Sequence, residues 1–400
     1  MAIERHGGGE WERLRRAVQG CPLPLALVDL DALEANVERL TAPARAGGKR
    51  IRVATKSVRC PALLELIADA SGGVVTGAMA YAATECPLLV AHGFDDILIA
   101  YPTVQPSDLA CVIAANRGGA TARLVIDCTE HLEVIARAAR EASVRIPVVI
   151  DVDVSYRPAG PVHLGVRRSP LHSVGEVVAM AERVAARPEL RFDGIMAYEA
   201  QIAGLPDGSM STRVLKTLSR PQVVETRAAL VQALTSRGLG PHIVNGGGTG
   251  SLDANAREPA LTEIAVGSGF LASHLFDDSR GLALRPAAFF ALQVVRKPAA
   301  GIVTCHGGGW IASGGPGRDR LPVPVYPEGL SVLELEGAGE VQTPLHLPRG
   351  LDLAIGDPVF FRHAKAGELA EHVNEYLLVR GDTVTERVQT YRGMGQCFLG

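Results

Sequence analysis

The chain has 400 residues, 47% of them hydrophobic and 21% charged, which is the composition of a globular protein and excludes a disordered one. Its net charge is −3 with acids and bases interspersed, so no basic stripe points to nucleic acid. The longest apolar runs, 109–115 and 287–292, are too short to cross a bilayer, and Met1-Ala-Ile-Glu-Arg-His6 lacks the apolar stretch of a secretory signal.

Seven cysteines stand at 21, 60, 86, 111, 128, 305 and 397 with no Cys-x-x-Cys, so neither a disulfide framework nor a zinc knuckle is expected. A reduced, cytoplasmic protein without a membrane segment follows from these features.

In chain order, a strand at 25–30 comes first, and a helix at 32–40 follows Asp29-Leu-Asp31. From residue 51 the pattern alternates. Eight β-rich runs fall at 51–56, 73–77, 96–101, 123–127, 148–154, 192–198, 242–245 and 262–267. Most are apolar without alternation, as expected of parallel strands covered on both faces. Helical stretches lie between them, at 61–70, 81–92, 130–142, 174–186 and 221–237. Eight β–α units over about 220 residues predict a (β/α)₈ TIM barrel, with an open doubly wound sheet as the alternative. After about residue 285, Gly and Pro punctuate short runs at 291–296, 301–304, 330–335, 359–362 and 376–380, which predicts an additional C-terminal all-β domain. The expected division is an N-terminal segment, 1–30, joining the β domain; a barrel, 31–285; and the β domain itself, 286–400.

Catalytic side chains of such barrels sit at the C-terminal strand ends. Those ends are Lys56, Thr76, Tyr101, Asp127, Asp153, Tyr198, Asn245 and Ser268. A lysine closing the apolar first strand suits a Schiff base, because low dielectric favours its neutral amine; the other reading is a lysine emerging into solvent. The seventh strand ends in Val244-Asn-Gly-Gly-Gly-Thr-Gly-Ser251 and the eighth in Val266-Gly-Ser-Gly269. Loops after strands seven and eight are the usual phosphate site of these barrels, and glycines bare the amides that hold an anion. A phosphorylated aldehyde cofactor fits both features.

The order Leu27-Val-Asp-Leu-Asp-Ala-Leu-Glu-Ala-Asn36, Lys56 with Cys60-Pro-Ala-Leu63, Asp96-Ile-Leu-Ile-Ala-Tyr-Pro102, Asn245-Gly-Gly-Gly-Thr-Gly250 and Thr262-Glu-Ile-Ala-Val-Gly-Ser268 resembles the D-threonine aldolase and D-serine dehydratase family. That family belongs to the alanine-racemase-like (fold type III) enzymes that use pyridoxal 5′-phosphate (PLP). The resemblance implies that Lys56 carries PLP and that Gly247, Gly248, Thr249, Gly267 and Ser268 hold its phosphate. Asn245, opening the turn, and Tyr198 complete the cofactor set. It further implies a homodimer with an amino-acid substrate.

The departures are chemical. Where relatives place an arginine before a Gly-Val pair, this chain has Val162-His-Leu-Gly-Val166, making His163 the candidate for contact with the cofactor or for proton transfer. Ala265 stands where racemases carry an arginine, and Val58 where relatives often have a histidine. Relatives bind a divalent ion through His-x-Asp or His-x-Cys; here the stretch reads Phe361-Arg-His-Ala-Lys-Ala-Gly-Glu368. His363 matches the first ligand, but Lys365 replaces the second, and an ammonium repels a cation. A fixed charge at Lys365 would take over part of the metal's role, so a tightly bound metal is not expected, with a divalent ion near His363 left open; His372-Val-Asn374 is a poorer register.

Three lesser features complete the reading. The Cys305–Trp310 segment is either a closing loop or a glycine turn with a packed tryptophan. Glu199 and Gln201 follow Tyr198 where they could select the substrate side chain. Asp151 and Asp153 share one strand face, with Asp153 nearer the mouth and therefore the one expected to meet a ligand. The expected function is a PLP-dependent lyase acting on a D-β-hydroxy-α-amino acid, by retro-aldol cleavage or dehydration, with Lys56, His163, His363 and Lys365 as the catalytic set. The alternatives are a PLP-dependent racemase, for which Tyr326 and Tyr376 would have to supply a second base, and a PLP-binding protein without turnover.

Overall fold

A computed structural model describes residues 9–159, 161–279, 281–315, 317–365 and 367–399. The chain forms two compact units, one of Leu40–Lys56, Ala68–Gly267 and the last residues from Phe398, the other of the segment up to Arg39, Ser57–Ile67 and Ser268–Cys397. The first strand, β1 (Leu25–Asp29), belongs to the second of these units.

The first unit is built on eight parallel strands closed into a barrel: β2 (Arg50–Ala54), β3 (Val75–Ala80), β4 (Asp96–Ile99), β5 (Thr121–Ile126), β6 (Ile146–Asp151), β7 (Leu190–Met196), β8 (Ile243–Gly246) and β9 (Glu263–Val266). The expected (β/α)₈ barrel is present, and the open sheet is not. Two local differences have physical causes. The second barrel strand starts at Val75, not 73, because Gly72 and Gly73 turn the chain with φ of 62° and 83°. It therefore ends at Ala80, and Thr76 lies within the strand rather than at its mouth. The helix expected from Pro221 starts a further eleven residues earlier, at Met210, where Ser209 accepts the Thr212 N–H at 3.1 Å as an N-cap; Pro221 lies inside it.

The interior of the barrel is layered. Nearest the strand starts sits a set of charged side chains. Arg52 donates to both Glu263 oxygens at 2.8 Å each and to Asp96 Oδ1 at 2.6 Å. Arg123 donates to the same Asp96 oxygen at 2.5 Å and also pairs with Asp193. Asn245 Nδ2 donates to Glu263 Oε1 at 2.8 Å. Burial by itself would lower the Arg52 guanidinium, but Glu263 and Asp96 more than reverse it and keep the cation charged. Above this layer an apolar one forms from Leu98, Val125, Val149, Met196 and Ile243. Residues two apart on a strand share a face, so Asp96 and Leu98, and Arg123 and Val125, stack in register along the barrel axis.

The second unit holds a nine-stranded sheet. Its strands after β1 are β10 (Ala288–Ala299), β11 (Ile302–His306), β12 (Val323–Tyr326), β13 (Ser331–Val332), β14 (Gln342–His346), β15 (Pro358–Arg362), β16 (Glu375–Arg380) and β17 (Thr383–Gln389). Pairing is antiparallel except between β1 and β16. The N-terminal strand thus joins the sheet of the later segment, as its sequence suggested. Leu25, Leu27, Phe289, Phe360, Leu377 and Val379 form its core with Leu14 and Val18 of the helix Gly9–Ala17.

Replacing Arg52 by alanine strands Glu263 and Asp96 inside the barrel. Breaking a buried pair in this way costs about 3–5 kcal/mol, so the urea midpoint of Arg52→Ala should fall steeply while that of Glu12→Ala, a half-exposed carboxylate, stays put.

Candidate active site

The barrel's C-terminal strand ends carry Lys56, Tyr101, Asp127, Asp151 and Tyr198. Lys56 sits on a single 3-10 turn, Thr55–Ser57, directly after β2. Its Nζ donates to Tyr101 Oη at 2.9 Å and lies 5.6 Å from the centre of that ring. Burial by itself would raise the Tyr101 phenol; the charge and hydrogen bond of Lys56, then the charge of Arg168, overcome it and lower the group below its ordinary value. The lysine thus has a polarised partner that can exchange a proton with its amine.

Arg168 is the residue that sequence reasoning missed. It lies on the loop after β6, with its guanidinium 6.0 Å from the Tyr101 ring and 5.7 Å from the Tyr198 ring. The pair Arg167-Arg168, directly after Gly165-Val166, was its only signal in the sequence. His163, the candidate singled out for this loop, is tied down locally: its Nε2 lies 3.1 Å from Val166 O and 4.0 Å from Asp153. Among the described residues no hydrogen bond or ring contact joins His163 to Lys56, Tyr101 or Tyr198.

The two strand-face aspartates divide differently from expectation. Asp153 is engaged by Arg157 at 2.6 Å and by the Ser155 N–H at 2.8 Å. Asp151 is pushed up to about 7, mainly by burial, then by the neighbouring Asp127 charge, with Arg168 opposing. It lines a small pocket with Asp153, Arg168 and Tyr198. Tyr198 is itself pushed up to about 12 by burial and by Glu199, so it is a neutral phenol at the mouth.

Glu199 does not face a substrate. It is buried at 1% exposure and pairs with Arg227, which also donates to Glu258 at 2.8 Å. Its carboxylate accepts from Gly247 N–H at 3.0 Å, Ser251 Oγ at 2.8 Å and Asn255 Nδ2 at 2.7 Å. Burial raises its carboxyl and Arg227 more than offsets this, keeping it ionised. This anion shapes the glycine turn. Gly247 takes φ of 75°, and a Cβ there would meet Asn255 Nδ2 at 2.6 Å. A Cβ at Gly248 would lie 3.1 Å from Ala203 and 3.5 Å from the Tyr198 ring. Thr249 opens the 3-10 turn that follows. Asn245, by contrast, is spent on Glu263 below the mouth.

The remaining expected residues lie in the other unit, or at its edge in sequence. Gly267 is the last barrel-unit residue before it. Ser268 Oγ donates to Ser57 Oγ at 3.1 Å. His363 is buried, and its carbonyl accepts from His274 N at 3.1 Å. Lys365 Nζ donates to Ser313 O at 3.3 Å, and Glu368 takes the Ser313 N–H and hydroxyl. Trp310 packs against Phe290 and stacks on His372 at 4.9 Å, so the Gly307–Trp310 stretch anchors a packed tryptophan.

A closed parallel barrel with a lysine at its mouth and a glycine turn after the seventh strand, joined in the chain to an antiparallel sheet unit, defines the alanine-racemase-like architecture. A family model described as the alanine racemase N-terminal domain matches residues 28–270, and the chain belongs to that family, which implies a PLP cofactor. The chain is 26% identical over 245 residues to 3-hydroxy-D-aspartate aldolase of Paracoccus denitrificans (strain Pd 1222), a match covering 61% of this chain and 59% of that protein. It is 27% identical over 282 residues to D-threonine aldolase of an Arthrobacter species, covering 69% of each. The match thus spans less than two thirds of the first of these relatives. The solved D-threonine aldolase from Filomicrobium marinum superposes with a TM-score of 0.79 over 93% of this chain and 96% of that one, at 21% identity, which shows a common fold.

The raised Asp151 carboxyl has a thermodynamic consequence. Its folded value, about 7, exceeds the ordinary 3.8, so the folded state binds the extra proton between those values. Its contribution is therefore most favourable at low pH and is lost as pH rises through about 7. In Asp151→Asn the stability gained by the wild type on acidification from about pH 7 toward pH 4 should shrink, as read by urea denaturation at a series of pH values.

Proposed function

We propose that this chain is a PLP-dependent lyase acting on a D-β-hydroxy-α-amino acid by retro-aldol cleavage. The observation that carries the proposal is Lys56, an amine nucleophile hydrogen-bonded to Tyr101 at a barrel mouth whose seventh-strand turn has no room for a side chain at Gly247 and little at Gly248. These residues fit the cofactor. Lys56 is its covalent anchor; Gly247, Gly248 and Thr249, with Gly267 and Ser268, are the proposed phosphate residues; Tyr198 and Arg168 complete the surroundings, while Asn245, bonded to Glu263, opens the turn without facing the cofactor. The relatives support the substrate class, since both named curated enzymes are aldolases of D-β-hydroxy amino acids.

When bound, PLP supplies an electron sink for charge developing at the substrate α-carbon. The chain supplies the rest. Tyr101 accepts from the Lys56 amine, and its phenol, lowered by Lys56 and by Arg168 near its ring, is the group positioned to exchange a proton there. Asp151 titrates near neutrality and can accept the proton of the substrate β-hydroxyl, the step that opens the carbon–carbon bond. On taking that proton Asp151 becomes the neutral acid, which leaves the Arg168 guanidinium available for the substrate's own carboxylate. His163, His363 and Lys365 are proposed contributors to proton and charge transfer. Racemization is disfavoured because Tyr326 and Tyr376 are both buried, at 7% and 1% exposure, and neither is presented as a second base. No described helix is long and apolar enough to cross a membrane; a cytoplasmic homodimer completes the proposal.

The test is product analysis. Purified protein with PLP and a D-β-hydroxy-α-amino acid should release an aldehyde and glycine or its analogue, and Lys56→Ala should abolish both release and the visible absorption of the bound cofactor. A keto acid with ammonia would instead assign dehydration, and loss of the α-proton to deuterated water without cleavage would assign racemization.

A further inference from the structure

A second cluster of ligand-type side chains lies at the end of β5, apart from the lysine. The strand closes on Asp127, Cys128 caps the helix Thr129–Ala142, and His131 stands in its first turn. Ligand atoms of Asp127, Cys128 and His131 all lie within 4.8 Å of one another. His131 Nδ1 is 3.1 Å from Asp127 Oδ1. Two ligands on a tetrahedral ion with bonds of about 2.0–2.1 Å stand about 3.3–3.4 Å apart, so this pair is already at ligand spacing.

The third donor is also in place. Cys128 has extended backbone, φ −145° and ψ 168°, and the backbone N–H of His131 points to its sulfur in the first turn of the helix, which brings the sulfur beside His131. The neighbouring Glu130 carboxylate accepts from the thiol. The Asp127 and His131 side chains are 12% and 22% exposed, enclosed enough to be held in place and open enough for an ion to enter.

We propose that Asp127, Cys128 and His131 form a binding site for a zinc-type divalent cation, with the fourth tetrahedral position open to water. One thiolate, one imidazole and one carboxylate is a donor set for borderline transition ions, whereas magnesium and calcium take oxygen donors. On binding, the Cys128 thiol proton is released to solvent and the sulfur becomes the ligand. The site is distinct from the stretch around His363, where Lys365 opposes a cation; Cys128 and His131 have no part in the lyase reading, and Asp127 enters it only as a charge that raises Asp151. The competing account is a plain Asp127–His131 hydrogen bond beside an uninvolved thiol.

Zinc itself is the probe. The full-length, PLP-loaded protein is stripped with a chelator, dialysed against zinc, freed of excess ion and analysed for metal. The wild type should retain one zinc per chain that Cys128→Ser and His131→Gln each fail to retain. Zinc should also slow iodoacetamide alkylation of Cys128, followed by peptide mass mapping, by about tenfold or more, since a metal-bound thiolate is shielded. Both substituted positions are partly exposed, so the variants should fold, and retained PLP absorption verifies it. No zinc on the wild type, equal zinc on the variants, or unchanged alkylation of Cys128 would each overturn the proposal.

Discussion

Five ionised side chains inside the barrel, Arg52, Asp96, Arg123, Asp193 and Glu263, constrain everything above them. Each comes from a different strand, so pairing them fixes the register of five strands at once. Charges buried this deeply are tolerated only when each finds its partner, because an unpaired one costs several kcal/mol. Two arginines answer three carboxylates, and Arg191 reaches Asp193 from outside at 3.0 Å to supply the third cation. The layer pins the base of the barrel. The apolar layer of Leu98, Val125, Val149 and Met196 insulates it from the mouth, where Lys56 and Asp151 occupy a separate electrostatic environment.

A second buried network governs the cofactor end. Glu199 and Arg227, 28 residues apart in sequence and both at 1% exposure, form an ion pair that keeps the Glu199 carboxylate charged. The carboxylate then takes three donors from the segment Gly247–Asn255. An anion beneath the turn orients that N–H inward, leaving the turn's outer face to the proposed phosphate. The mouth therefore has a glycine turn shaped by Glu199, and the Arg168 guanidinium stands 6.0 Å from the Tyr101 ring and 5.7 Å from the Tyr198 ring.

The frame was legible because its signals are local. Eight apolar runs separated by helical spacing announce a closed parallel barrel, and a lysine closing the first of them marks the mouth. The loss of helical spacing after residue 285 announces the sheet. What stayed hidden depends on partners far apart in the chain. Glu199 reads as an exposed selector until Arg227 is brought beside it, and Arg52 reads as an interruption of an apolar strand until Glu263, 211 residues on, meets it. Asp153 looked the better ligand because it lies nearer the mouth. The structure gives it Arg157 and leaves Asp151 with a carboxylate neighbour. Arg168 was overlooked because a loop residue's reach across two strand ends has no periodic signature.

The central claim is that Lys56 is the covalent anchor of PLP. Borohydride reduction of the PLP-loaded protein, followed by digestion and mass mapping, tests it directly, because reduction makes the lysine–cofactor link permanent. The account predicts one phosphopyridoxyl group per chain, carried by the peptide containing Lys56. A modification found on another lysine, or none at all in protein that retains its fold, would contradict it.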